Sequence, residues 1–266
     1  MGRMIKTNYH THAKYCNHAA GEIRDYAEQA YESGLTVLGF SDHTPYRFAD
    51  GYTSWYRMKP EERETYVREV QACREEFAGK LEIHIGYEVE YYPKHFDALL
   101  PELNLTECEY IILGQHFTRN EYDGVYSGGG TEDESILKEY VDQVCRAMEL
   151  GVFSYFAHPD LIGYEGDGEI YEKHMSRLCA TAAATDTPLE INVRGLKFGS
   201  RYPNENFIRI ASRYPVKFII GTDAHEPKDL RPGDEYEAAF RLADKYGLDL
   251  IERLKFKKPL LTGTIG

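Results

Sequence analysis

His10 and His12 are two imidazoles separated by a single residue, in the run Asn8-Tyr9-His10-Thr11-His12. On extended backbone, residues i and i+2 point to the same side, so both rings can address one ion just past a strand. One such pair is weak evidence by itself, but the pattern recurs. Short apolar runs end, or nearly end, in Asp42-His43, Glu88, His116, His158, Asn192 and Asp223-Ala224-His225. His18 adds a third imidazole in the loop after His12. Seven of the ten histidines sit at these ends or in that loop, whereas His84, His95 and His174 do not. His84 falls mid-strand and reads as structural. Imidazoles joined by the carboxylates Glu88 and Asp223 suit zinc, iron or manganese, whereas magnesium and calcium prefer all-oxygen shells. The nine candidates (His10, His12, His18, His43, Glu88, His116, His158, Asp223 and His225) exceed the needs of one ion and imply two or three.

The elements that must position these groups alternate. The spacing predicts strands at Met4–Tyr9, Thr36–Phe40, Leu81–Glu88, Tyr110–Gly114, Phe153–Ala157, Leu189–Asn192 and Val216–Gly221. Helices are predicted near Gly21–Ser33, Pro60–Phe77, Ile136–Gly151, Tyr171–Thr185 and from Asn204, with an amphipathic tail helix over Glu235–Leu254. Pro60 with Glu61 and Glu62 suits a helix start, and Thr131-Glu132-Asp133-Glu134 has capping-box spacing. Seven strands alternating with helices read as one α/β chain, a parallel (β/α)7 barrel forming a single domain over 1–266. In such barrels the polar residues at strand C-terminal ends face the active site, which is where every candidate falls. Between Thr44 and Lys59 the chain is aromatic and irregular, with Tyr46, Phe48, Tyr52, Trp55 and Tyr56. It reads equally as a loop packing its own rings and as a pocket wall.

The chain has 266 residues, 42% hydrophobic and 28% charged, ordinary for one large core. Its net charge, 31 − 44 = −13, comes without a basic block. That disfavours nucleic acid and anionic membranes as partners. No apolar run approaches the roughly 20 residues of a membrane span. The first strand leaves no room for a signal peptide, and the five scattered cysteines suit free thiols. A cytoplasmic location is therefore expected. The sequence does not fix an oligomeric state.

The ordered set His10-x-His12, Asp42-His43, Glu88, His116, His158-Pro159 and Asp223-x-His225 resembles the polymerase and histidinol phosphatase (PHP) family over nearly the whole chain. The resemblance implies a distorted seven-stranded β/α barrel with a trinuclear metal site. Carried over, one ion takes His10, His12, Glu88 and Asp223. A second shares Glu88 and adds His116 and His158, and a third takes His18, His43 and His225. The stretch from Arg57-Met58-Lys59 to Gly86-Tyr87-Glu88-Val89-Glu90-Tyr91, and His158-Pro159-Asp160-Leu161, resemble the monofunctional histidinol-phosphatases of that family. Val193-Arg194 before Gly195-Leu196-Lys197 departs from their pattern, which often has small residues there.

Three divalent ions over two carboxylates leave a positive site, attractive to a phosphate dianion. A bound ion lowers the pKa of water from about 15.7 to about 7, so hydroxide generated at the ions can attack phosphorus. Asp223, Glu88 and His225 are the expected catalytic groups, with Asp223 orienting the water. Arg194, Lys197 and Arg201, in a basic loop after the sixth strand, are the candidates for gripping phosphate. The expected substrate is a small phosphate monoester, L-histidinol phosphate. The alternatives are a phosphoesterase for nucleotides or nucleic-acid ends, and a non-catalytic module that keeps the fold. The complete ligand set counts against the last.

Overall fold

Runs such as Tyr110-Ile111-Ile112-Leu113 are buried on both faces, as strands flanked by helices require. The computed structural model describes residues 3–48, 51–104 and 107–259. In chain order the elements are β1 (Thr7–Asn8), α1 (Ile23–Glu32), β2 (Val37–Phe40), α2 (Arg63–Glu76), β3 (Glu82–Val89) and α3 (Phe96–Asn104). Next come β4 (Tyr110–Leu113), β5 (Gly130–Thr131), α4 (Glu134–Glu149), β6 (Tyr155–Phe156), β7 (Gly163–Tyr164) and α5 (Gly168–Ala184). The chain finishes with β8 (Leu189–Asn192), α6 (Val193–Phe198), α7 (Glu205–Ala211), β9 (Lys217–Gly221), α8 (Asp234–Tyr246) and β10 (Asp249–Leu250).

Eight strands form one sheet in the order β1-β2-β3-β4-β6-β8-β9-β10, every pair parallel. Strands β5 and β7 make a separate two-stranded ribbon. The sheet curls until the chain beyond β1 meets the chain beyond β9. There Thr11 bridges Ala224, the His12 N–H donates to Ala224 O at 2.8 Å, and the Ala224 N–H donates to His10 O at 3.2 Å. At the opposite end β10 lies against the start of β9, with Asp249 opposite Lys217. Seven strands thus make the β/α barrel, and β10 adds a short eighth beside β9. The barrel interior below the site is filled by Tyr9, Val37, Tyr110, Ile112, Tyr155 and Ile219. The helices cover the outside, α4 burying Leu137, Tyr140, Val141, Val144 and Met148. Among the described residues no helix is long and apolar enough to cross a membrane.

Three expectations need correction, and one helix is an addition. The tail helix stops at Tyr246, where Gly247 turns left-handed at φ 61°, and the chain continues into β10. A left-handed glycine after the last turn is a strong helix stop. Helix α3 is an element the sequence pattern does not announce, because Pro101 inside it reads as a breaker. The supposed basic loop after the sixth strand begins as helix α6, with the Asn192 side chain accepting from the Gly195 N–H at 2.9 Å. The cap of α4 is Asp133, which accepts from the Ser135 N–H, while Thr131 belongs to β5.

Candidate metal centre

Each candidate sits at the C-terminal end of a parallel strand or in the loop that follows it, so the barrel aims all of them at one place. A cavity of about 410 Å³ opens there, lined by His12, His18, His43, Glu88, His116, His158, Asp223 and His225. His10 is fully buried just beneath, its Nε2 3.1 Å from His12 Nε2. Glu88, at the end of β3, is the hub. Its Oε1 lies 2.9 Å from His158 Nε2 and 3.7 Å from His116 Nε2. Its Oε2 lies 3.1 Å from His43 Nδ1, 3.3 Å from His12 Nε2 and 3.7 Å from His10 Nε2. Asp223 Oδ1 lies 3.5 Å from both His10 Nε2 and His12 Nε2, and 3.4 Å from His225 Nδ1. Space for the hub exists because residue 114 is glycine: a Cβ there would lie 1.9 Å from Glu88 Oε1.

The donor set fits divalent cations. His18 Nε2 and His225 Nε2 face each other at 2.9 Å, as His10 and His12 do. Two facing ring nitrogens can share a proton or a cation. His43 Nδ1 has no hydrogen-bond partner although Glu88 Oε2 is 3.1 Å away, the approach of two atoms arranged round a common ion. His18, His43 and His225 bring ligand atoms within 4.8 Å of one another, and so do His10, His12 and Glu88. The same holds for His10, His158 and Asp223, and for His43, Glu90 and His116. His158 also shares Glu88 Oε1 with His116, the pair that the resemblance puts together. Cys16 approaches His12 and His225 comparably. Burial pushes its thiol pKa up, and its Sγ accepts from the Ala19 N–H at 3.2 Å.

Electrostatics run the same way. Burial penalises the Glu88 carboxylate, but His116, His43 and His10 outweigh it and hold its pKa well below the usual range. Asp223 is lowered likewise, by His10, His225 and His12 against its burial. Burial pushes His43 and His225 well below the ordinary imidazole value and also lowers His12 and His18. A lowered imidazole favours its uncharged form, which has a lone pair to give. His10 goes the other way: Glu190, Asp223 and Glu88 overcome its burial and raise it. A floor that draws a proton onto a buried imidazole will draw a cation.

Residues the sequence reading passed over hold these rings in place. Glu190, buried in β8, sets its Oε1 2.8 Å from His10 Nδ1 and accepts from the His158 N–H at 2.9 Å. Glu90 sets its Oε1 2.9 Å from His116 Nδ1. His18 Nδ1 is 2.7 Å from Cys16 O, and His225 Nδ1 3.0 Å from Asp223 O. In each case one ring nitrogen is engaged and the other turned inward, the usual support for a metal-binding histidine. Asn192 donates to Glu190 at 2.8 Å and reaches Asp223 Oδ2 at 3.3 Å. Two backbones are strained here: His158 has φ 32° and Asp223 φ 51°, left-handed values that β-carbon residues rarely adopt. Glu190 and Glu90 each stand two residues beyond or before a strand-end polar group. That i±2 relation, placing them on the barrel-facing side, is the signal that finds them.

Arg57 anchors the aromatic segment. Fully buried, it reaches Glu90 Oε2 at 3.0 Å, Glu121 Oε1 at 2.9 Å, Thr44 O at 2.8 Å and the Tyr56 hydroxyl at 2.6 Å. Both readings of Thr44–Lys59 hold, apart from residues 49 and 50, which lie outside the described residues. Tyr46 and Phe48 pack on Tyr92, while Trp55 and Tyr56 line the cavity. The basic candidates separate. Arg194 lines the cavity, half-buried. Lys197 pairs with Asp229 at 2.5 Å and Arg201 with Glu165 at 2.6 Å, and neither lines the cavity. Their carboxylate partners are remote in sequence, and of the three candidates for gripping phosphate Arg194 alone lines the cavity.

Residues 8–194, well over half of the chain, match the PHP domain family. The chain belongs to that family. A probable histidinol-phosphatase of Deinococcus radiodurans is 29% identical over 249 residues, 88% of this chain and 89% of that one. A histidinol-phosphatase of Bacillus subtilis is 25% identical, over 88% of this chain and 98% of its own. Among solved structures, the histidinol phosphate phosphatase of Lactococcus lactis, complexed with zinc, L-histidinol and phosphate, superposes with a TM-score of 0.74. It is 18% identical and covers 95% of this chain and 100% of its own. As a PHP-domain protein with this donor set, the chain binds divalent metal.

Proposed function

We propose that the protein is a metal-dependent phosphomonoesterase that hydrolyses L-histidinol phosphate to L-histidinol and phosphate. The observation that carries the reading is the cavity floor: seven imidazoles and two carboxylates converge beneath the single guanidinium of Arg194. The names of the relatives support the substrate. We read the whole chain as one domain, holding two to three ions of zinc, manganese or iron.

His10, His12, His18, His43, Glu88, His116, His158, Asp223 and His225 would hold the ions. Bound there, the ions supply charge neutralisation for a phosphate dianion and a water acidified toward neutral pH. The chain does the rest. Arg194 donates to a non-bridging phosphoryl oxygen and fixes the ester's orientation. Glu88, with Oε1 toward His158 and His116 and Oε2 toward His43 and His12, keeps the ring set in register. Asp223, with one oxygen toward Asn192 and the other toward the floor, is placed to orient the attacking water and return a proton to the leaving alkoxide through solvent. Trp55, Tyr56, Phe117 and Tyr202 wall the site against bulk water.

The test is a panel on purified, metal-analysed protein: histidinol phosphate, nucleoside monophosphates and glycerol phosphate. Histidinol phosphate should be turned over with the highest kcat/KM, and elemental analysis should find two to three ions per chain. A nucleotide preferred over it would overturn the substrate. One ion or fewer in active protein would overturn the multinuclear site.

A further inference from the structure

We propose that Trp55, Tyr56, Phe117 and Tyr126 form the leaving-group subsite, holding a flat, cationic amino alcohol by aromatic faces rather than by a carboxylate. The proposal rests on the histidinol phosphate reading above and says how the alcohol half is recognised.

Four rings run along one side of the cavity in a connected ridge. Trp55 and Tyr56 have centroids 5.5 Å apart, Tyr56 and Phe117 6.1 Å, and Phe117 and Tyr126 5.5 Å. The middle of the ridge meets the metal floor, Tyr56 lying 5.2 Å from the His43 ring and 6.3 Å from the His116 ring. Its two ends are large apolar faces turned to solvent at the mouth, Trp55 being 72% and Tyr126 50% exposed. Wet aromatic faces beside a cavity mark a surface that gains by being covered. The ridge is also rigid. The Tyr56 hydroxyl is held by Arg57 and lies 3.2 Å from Glu90 Oε1. Phe117 and Tyr126 face each other across an antiparallel bridge, with the Thr118 N–H donating to Val125 O and the Ser127 N–H to His116 O. The segments that carry metal-floor residues therefore carry the ridge.

Charge decides what the ridge recognises. Among the described residues lining the cavity, the only carboxylates are Glu88 and Asp223, and both belong to the floor. Glu90 and Glu121, the acidic side chains behind the wall, are both buried and paired with Arg57. An ammonium or imidazolium entering above the phosphate finds no free carboxylate there, but it does find the negative faces of the rings. A flat ring also gains by stacking on them. Arg194, alone in charge type among the non-imidazole lining residues, repels such a cation and so favours the opposite, aromatic side.

Trp55 is the chain's single tryptophan, so its emission reports directly on the subsite. L-Histidinol titrated into zinc-loaded protein, with excitation chosen to spare the tyrosines, should change that emission. The midpoint should equal the histidinol inhibition constant measured with glycerol phosphate as substrate. In Trp55→Ala the ratio of kcat/KM for histidinol phosphate to that for glycerol phosphate should fall on the order of tenfold, the scale of one stacking or cation–π contact, mainly through KM. Trp55→Phe should recover most of it. Inhibition without an emission change, or an unchanged ratio in Trp55→Ala, overturns the subsite while leaving the substrate standing. Wild-type protein that does not turn over histidinol phosphate overturns the substrate reading and this proposal with it.

Discussion

Replacing Glu190 by glutamine keeps the shape of the group beneath the metal floor and changes only its charge and one acceptor. In the native arrangement Oε1 faces His10 Nδ1 at 2.8 Å, and Oε2 accepts from the His158 N–H at 2.9 Å and from Asn192 Nδ2 at 2.8 Å. A carboxamide offers one oxygen and one NH2. With its NH2 toward His158 and Asn192 it meets two donors, so it must turn the NH2 toward His10. His10 then accepts at Nδ1 and carries its proton on Nε2, the atom that lies among His12, Glu88 and Asp223. The lone pair aimed at the floor is lost. A charge-assisted hydrogen bond contributes about 1.5–3 kcal/mol, and removal of such a supporting carboxylate typically weakens metal affinity about 10–100-fold. Competition with a calibrated chelator should show that loss at one class of site, with turnover partly restored at saturating metal. The close fit of this pocket, where a Cβ on residue 221 would lie 1.9 Å from Glu190 Oε1, leaves the amide no room to escape. Parent-like metal affinity in Glu190→Gln would refute the reasoning and reduce Glu190 to packing.

Three further outcomes follow from the same geometry. Arg194→Ala should lower kcat/KM for the phosphomonoester about 10–100-fold with metal content unchanged, while Lys197→Ala, outside the cavity lining and 2.5 Å from Asp229, should stay within about threefold. Equal losses in steady-state kinetics would contradict that division. Arg57→Met strands two buried carboxylates and should cost about 3–5 kcal/mol in denaturant unfolding, with Arg57→Lys recovering only part because one ammonium cannot reproduce the fork. Glu109 accepts from the Ile85 N–H, contacts His84 at 3.0 Å and pairs with Arg74; these outweigh its burial and lower its pKa. The folded value lies below the unfolded one near 4.3, so its stabilisation is present above about pH 4.3 and is lost as pH falls through the folded value. Glu109→Gln should therefore cost about 1 kcal/mol at pH 7, after discounting its partial exposure, and less at a pH well below 4.3. Unfolding curves that differ equally at both pH values would exclude this linkage.

The sequence by itself determined the barrel and the candidate set at its mouth. Strand period two and helix period 3.6 are local properties, and they carry His10, His12, Glu88 and Asp223 to strand ends without reference to any distant residue. The same logic read His84 as structural, and it is held between Glu82 and Glu109. Local pattern failed where a distant partner decides. β10 is defined by its pairing with the start of β9, where the Ile251 N–H donates to Phe218 O, and no property of Asp249-Leu250 announces that partner. Pro101 is tolerated within α3 as that helix buries Phe96, Leu99, Leu100 and Leu103. Lys197 and Arg201 look like free cations along the chain, yet Asp229 and Glu165 reach them only once the chain is folded. Glu190, Glu90 and Arg57 are ordinary charged residues in one dimension. Only the tertiary structure makes them supports of the imidazole cluster, because burial removes the water that would otherwise answer their charges and leaves one another as partners.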